Sequence, residues 1–132
     1  MLRKLIVWNN SCFGCEHHAE IEIETGKVFY KTNMPTNGKT NYECFFLLPK
    51  ENTLAFAKKV DFITRWQPIY RPEAAENNGI ILDGFRWSVR TDTGLERLSE
   101  GYNRKPEDFD LFIAELETLL QKDFGGQWQQ QP

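Results

Sequence analysis

The chain lacks the sequence signatures by which hydrolases and nucleotide-binding enzymes are read. It has no Gly-x-Ser-x-Gly, no His-Glu-x-x-His and no glycine-rich phosphate loop. Histidine is scarce: the two present are the neighbours His17 and His18, so a general base would have to sit on a strand edge. Cysteine is scarce too. Three is an odd number, which argues for reduced thiols and against a disulfide framework. No apolar run approaches the ~20 residues of a membrane span. Met1-Leu2-Arg3-Lys4 leads into only the apolar residues Leu5 to Trp8, too short a core for a signal peptide. A cytoplasmic protein without membrane attachment is therefore expected. Charge of either sign is modest, since 16 Lys and Arg against 19 Asp and Glu leave a net −3. Neither nucleic acid nor an anionic bilayer then meets an attractive global field. No cofactor is implied.

What the chain has in plenty is aromatic weight. Ten Phe and four Trp among 132 residues can build a core without staples, and they indicate one domain over residues 1–124. The clearest segment runs from Ile80 to Gln121. Phe85, Trp87 and Val89 alternate with Arg86, Ser88 and Arg90, the period-2 pattern of a strand with one apolar face. Asp92-Thr93-Gly94 reads as a turn, and Leu95 to Glu100 as the returning strand. Pro106 suits the first position of a helix reaching Gln121. Glu107, Asp108 and Asp110 favour the positive end of its dipole, and Phe109, Phe112, Ile113, Leu116, Leu119 and Leu120 form one apolar stripe.

The earlier chain reads as four strands and a helix. Residues 2–8 end in the apolar run Leu5-Ile6-Val7-Trp8, which suits a strand buried on both faces or near the centre of a sheet. Asn9 to Gly14 reads as a turn. From Ala19, Ile21 and Ile23 alternate with Glu20, Glu22 and Glu24; Thr25-Gly26 turns the chain and Val28-Phe29-Tyr30 returns. Asn33 to Asn41 reads as an exposed loop before a strand at Tyr42 to Leu48. Residues 50–65 carry Leu54, Phe56, Ala57, Val60 and Ile63 at helical spacing, with Asn52 as a candidate N-cap. A connection follows from Trp66 to Ile80, and residues 125–132 read as a flexible Gly/Gln-rich tail in which Trp128 could dock. The order ββββαββα predicts a two-layer α+β fold, with both amphipathic helices on one face of a mostly antiparallel sheet.

The combination of Cys12-Phe13-Gly14-Cys15, Gly26-Lys27-Val28, Trp66 with Tyr70, Asp83-Gly84 with Trp87, and Gly101-Tyr102-Asn103 leading to Pro106 and Phe109 resembles a loose family of small uncharacterised bacterial proteins. In that family a Cys-Phe-Gly hairpin leads, and a strand with a central Trp, a Gly-x-Asn turn and a Pro-started helix close the domain. The resemblance covers most of residues 12 to 120. It implies the α+β architecture and a bacterial origin, and brings neither an activity nor a functional residue.

The one cluster of metal-ligand types is Cys12 and Cys15 with His17 or His18 and Cys44. A zinc site wants four such ligands in a tetrahedron, but a second close pair is absent, so plain thiols are the expectation. A redox pair would need a helix N-terminus after the first cysteine, and the residues that follow alternate as a strand. Arginines near Trp66, Tyr70, Trp87 and Tyr102 match the residue types that grip single-stranded nucleic acid, yet outward strand positions are ordinarily charged and the net charge is negative. The expectation is therefore a non-catalytic protein-binding module, in its sharpest form an immunity-type protein that blocks a basic toxin domain. Tyr70, Glu73, Glu76, Glu107, Asp108 and Asp110 would form an acidic rim around an aromatic anchor. The alternative is a metal- or thiol-dependent protein using Cys12, Cys15, His17 and Cys44.

Overall fold

A computed structural model describes residues 1–12, 15–34, 40–72 and 85–126, with only the backbone of residues 11, 12, 34 and 40. Strands β1 (Lys4–Cys12), β2 (Cys15–Glu22), β3 (Lys27–Met34) and β4 (Thr40–Leu47) are followed by helix α1 (Lys50–Lys59) and a 3₁₀ segment, Asp61–Arg65. Strands β5 (Ile69–Tyr70), β6 (Arg86–Asp92) and β7 (Glu96–Tyr102) precede helix α2 (Phe109–Leu120). Among the described residues these seven strands form one sheet in the order β4-β3-β2-β1-β6-β7-β5. Only β5 against β7 is parallel; the other neighbours are antiparallel. The fold is the two-layer α+β arrangement anticipated, with the two-residue β5 added on one edge.

One face of the sheet is buried. Leu5 and Val7 of β1, Ala19 and Ile21 of β2, Val28 and Tyr30 of β3, and Trp87 and Val89 of β6 share a core with Phe56, Ala57, Phe112, Ile113 and Leu116 of the helices. The alternation in the sequence therefore reports the true facing. The run Leu5 to Trp8 is apolar on both parities because β1 lies fourth of the seven strands.

Two turns depend on glycine. Gly26 (φ +78°) follows β2, and a Cβ there would overlap the Leu48 carbonyl. Gly94 (φ +101°) closes the β6–β7 turn while its N–H donates to Asp92 Oδ1 at 2.8 Å.

Several boundaries move for identifiable reasons. The expected turn at Asn9 to Gly14 is instead strand as far as Cys12, and β2 begins at Cys15 rather than Ala19. Asn9 and Asn10 look like turn formers, but their side chains find partners in the sheet. Asn9 Nδ2 donates to Phe124 O at 3.0 Å, and Asn10 Oδ1 accepts from Arg86 N at 2.6 Å. Helix α1 starts after Pro49, so Asn52 lies inside its first turn and is not the cap. The nearby Thr53 hydroxyl is buried and donates to Ile23 O at 2.6 Å, tying α1 to the end of β2.

The helix expected over 50–65 tightens after Val60. Val60, Ile63 and Trp66 are all buried; the 3₁₀ segment Asp61–Arg65, flanked by Val60 and Trp66, brings the three into one core, where a continued α-helix would fan them apart. Similarly, α2 begins at Phe109, with the Phe109 N–H donating to Pro106 O at 3.1 Å across a preceding turn. It ends at Gln121 in the left-handed region (φ 56°). Gly125 and Gly126 are held by hydrogen bonds to Asp123 Oδ1 (2.9 Å) and Glu117 Oε2 (3.0 Å). The rest of the expected tail, with Trp128, lies outside the described residues.

The two layers meet in an aromatic cluster. Trp66 stacks on Phe109 at 5.9 Å and meets Trp87 and Phe112 edge-on at 5.7 and 5.5 Å, while Trp87 lies 5.0 Å from Phe109. Both indoles are satisfied: Trp66 Nε1–H donates to Asp108 Oδ1 and Trp87 Nε1–H to the Arg104 carbonyl, each at 2.8 Å. Phe112 is fully buried. Phe112→Ala is expected to cost about 3–5 kcal/mol in urea unfolding, as large-to-small changes in packed cores do; a loss below about 1 kcal/mol would show that the site collapses around the cavity.

Candidate functional site

The other face of the sheet has no helix on it among the described residues. It should then be polar, because alternate residues of a half-covered antiparallel sheet meet water. The register gives its rows. One is Phe45, Phe29, Glu20, Ile6, Arg90 and Leu98; the next is Glu43, Lys31, His18, Trp8, Ser88 and Glu100. Apolar residues interrupt the charges. Phe45 is 79% exposed, Leu47 71%, Ile69 55% and Leu98 38%. Phe29 and Phe45 pair across β3 and β4 at 4.7 Å, and His18 lies edge-on to Phe29 at 5.9 Å.

Trp8 stands half-buried in the middle of this face with a hollow on each side. The smaller, about 230 Å³, is bordered by Phe29, His18, Lys31, Glu16 and Asn33. The larger is a groove of about 500 Å³ running from Trp8 over Ser88 to Ile69 and Tyr70, with Arg71, Arg86, Glu100 and Tyr102 around it. The Arg86 guanidinium lies 4.8 Å from the centroid of the Tyr102 ring, a cation–π contact.

The residues proposed from sequence are spread over two places. Tyr70 lines this groove; its ring packs 5.7 Å from Trp87, and its hydroxyl accepts the Gln67 N–H at 2.8 Å. Glu107, Asp108 and Asp110 lie at the start of α2, in the layer covering the opposite face. Of these, Asp108 is half-buried and holds the Trp66 indole, Asp110 pairs with Lys105 at 2.7 Å, and Glu107 is exposed. Glu73 and Glu76 lie outside the described residues. Sequence reading missed Trp8, Arg86 and Tyr102 as neighbours, because only the β1–β6–β7 register places them side by side.

The cysteines depart from expectation. Cys15 is buried and disulfide-bonded, which corrects the reading of reduced thiols. The backbone reason is that β1 and β2 continue to the tip of their hairpin, making Cys12 and Cys15 register partners instead of members of an open turn. Cys44 is a free thiol, half-buried opposite Tyr30. Among the described residues no group of three His, Cys, Asp or Glu side chains is placed to hold a metal ion, and none of the helices is long and apolar enough to cross a membrane.

His17 is also displaced from its expected setting, since β2 is an interior strand and the imidazole is 1% exposed. Its Nδ1 lies 3.1 Å from Asn9 Oδ1 and its Nε2 3.3 Å from Asp123 Oδ2. Tyr30 donates to Asp123 O at 2.6 Å, and Phe124, fully buried, packs 5.5 Å from the imidazole. This network clamps the chain after α2 onto the sheet; its role is structural. Burial alone would raise the Asp123 carboxyl, but hydrogen bonds from His17 and the Gly125 amide outweigh it and lower the value below 3.8. Burial, with the Asp123 charge nearby, pushes the Tyr30 phenol up to about 12.

Comparison with known proteins finds no matching family model and no matching curated protein.

Two measurements check the clamp. A carboxyl lowered on folding contributes stability above its unfolded value of 3.8, and that contribution disappears as pH falls through the lower folded value. Asp123→Asn should therefore cost about 1 kcal/mol at pH 7, discounted for the partial exposure of the carboxylate, and flatten the loss of stability below pH ~4; an unchanged acid slope in urea titrations would contradict the pairing. In ultraviolet titration Tyr30→Phe should remove a phenol step near pH 12; loss of a step near 10 would show that Tyr30 is not buried in this way.

Proposed function

We propose that the chain is a non-catalytic protein-binding module that docks its partner on the uncovered sheet face around Trp8. One observation carries the reading: Phe45, Leu47, Ile69 and Leu98 are exposed on or beside a face that already holds Trp8, Ile6 and Phe29. Contiguous exposed apolar surface marks an interaction site, and this face carries two such stretches, Phe45 and Leu47 with Phe29 towards β4 and Ile69 and Leu98 towards β5, with Trp8 between them. On the same face Glu16, Glu20, Glu43 and Glu100 alternate with Lys31, Arg86 and Arg90, which suits the mixed surface of a protein better than a phosphate backbone. An aromatic ridge between two hollows is also the form that interface anchors take.

The finer reading is an immunity-type protein that neutralises a toxin. It is supported by the small size, the net charge of −3 and the acidic start of α2, where Glu107 and Asp110 are exposed and able to steer a basic partner. A cytoplasmic site of action belongs to this reading.

Capture from the native host should yield a protein partner, and a captured toxin should lose activity when the chain is added in equal amount. Phe45→Glu is expected to weaken that complex at least about tenfold while costing folding stability no more than about 1 kcal/mol, the scale of the lost cross-strand pair with Phe29. Glu107→Lys with Asp110→Lys should slow association at low salt. A partner that binds Phe45→Glu with unchanged affinity would place the interface elsewhere, and turnover of a substrate by the purified chain would overturn the reading altogether.

A further inference from the structure

We infer that the groove beside Trp8 takes an extended peptide segment bearing a carboxylate, which lies against Arg86 and Arg71 while an apolar side chain rests on Trp8. This rests on the protein-binding reading and names the chemistry the face would recognise. Shape comes first. Trp8, Ser88, Glu100 and Ile69 are side by side across β1, β6, β7 and β5. Ser88 is the small member, so the row dips between the indole and Ile69. The hollow, about 500 Å³, has the size of sites that hold small ligands or a few peptide residues.

Charge gives the groove a direction. Among the described residues neither Arg71 nor Arg86 enters an ion pair. The Tyr102 ring beside the Arg86 guanidinium is an uncharged partner, so the positive charge is not neutralised there, and a carboxylate matches the guanidinium fork. Glu100 stands between Ser88 and Ile69, one row from Arg86, where it repels a second anion and can accept a backbone N–H. A ligand with N–H donors at one end and a single carboxylate at the other fits both. A polyphosphate would spread its charge onto Glu100. The apolar wall is Trp8 with Ile69, which is 55% exposed and would be covered by a partner's side chain.

The test is an NMR titration of the full chain, following the Trp8 indole N–H and the Arg86 Nε–H. The probes are acetyl-Phe-Ala-Phe with a free terminal carboxylate, acetyl-Phe-Ala-Asp-amide, acetyl-Phe-Ala-Asn-amide, and adenosine monophosphate. Saturable shifts of both signals are expected with one or both carboxylate peptides, and comparing those two tells whether a chain end or a side chain is read. Affinity should fall at least about tenfold for the Asn peptide and for Arg86→Gln, whose folding is checked by unmoved Trp66 and Trp87 indole signals. Should that variant not fold, Arg71→Gln makes the same comparison. No saturation with either carboxylate peptide, equal affinity for the Asn peptide, or saturation by the nucleotide alone would overturn the assignment. A host partner that binds while the carboxylate peptides fail overturns the groove's role and leaves the protein-binding reading standing. Peptides that bind while no host partner exists would do the reverse.

Discussion

The Trp87 indole crossing Gly101 is the contact on which the two layers depend. A side chain at 101 would overlap the indole, and because glycine leaves the space open, Nε1–H reaches the Arg104 carbonyl at 2.8 Å. That bond fixes the chain just after β7. Asn103 sits in the left-handed region (φ 55°), where its backbone N–H and side-chain oxygen bond the carbonyl and N–H of Phe85 at 2.8 and 2.9 Å. With β6 and the exit from β7 locked together, Pro106 and Phe109 start α2 at the position where Phe109 meets Trp87. Trp66 completes the assembly by stacking on Phe109 and bonding Asp108. Strand, turn and helix are thus mutually consistent at one place, which is what makes a single packing cooperative.

Gathering both helices on one side has a consequence for the other. The covered face takes the regular alternation of buried positions, and whatever apolar residues occupy the opposite parity stay at the surface. Ile6 and Trp8 on the central β1, Phe29 and Phe45 near one edge, and Leu98 and Ile69 near the other are those residues. Their presence adds nothing evident to the core, and exposure of this kind carries a risk of aggregation unless a partner covers it. The same geometry separates the acids at the start of α2 from the groove, so a partner engaging both would have to wrap an edge of the sheet.

The elements were legible wherever local pattern and tertiary role agree. Alternation in Phe85 to Arg90 and Ala19 to Glu24, the turn at Gly94, and the stripe from Phe109 to Leu120 are each set by nearest-neighbour chemistry and reappear as strands, turn and helix. Legibility failed where a distant partner overrides local preference. Asn9 and Asn10 are turn formers by propensity yet stay in β1, because Phe124 and Arg86, far along the chain, satisfy their amides. Val60 and Ile63 read as α-helix with the residues before them, but the chain tightens to 3₁₀ over Asp61–Arg65, which brings Ile63 and Trp66 into the core beside Val60. Ile69–Tyr70 is too short to announce a strand and exists only through its pairing with Glu100 and Gly101.

The candidate site was less legible than the fold for the same reason. Tyr70 could be chosen from sequence as an aromatic beside charged residues, while Trp8, Arg86 and Tyr102 are separated by 78 positions and then 16 and belong together only through the sheet register. The sequence by itself determined the class of fold, the amphipathic elements and the lack of catalytic motifs, because those follow from residue type and spacing along the chain. The tertiary structure alone decided the strand order, the covered and uncovered faces, the burial of His17 beside Asp123, and the groove beside Trp8, since each is a relation between residues that only long-range pairing brings within contact.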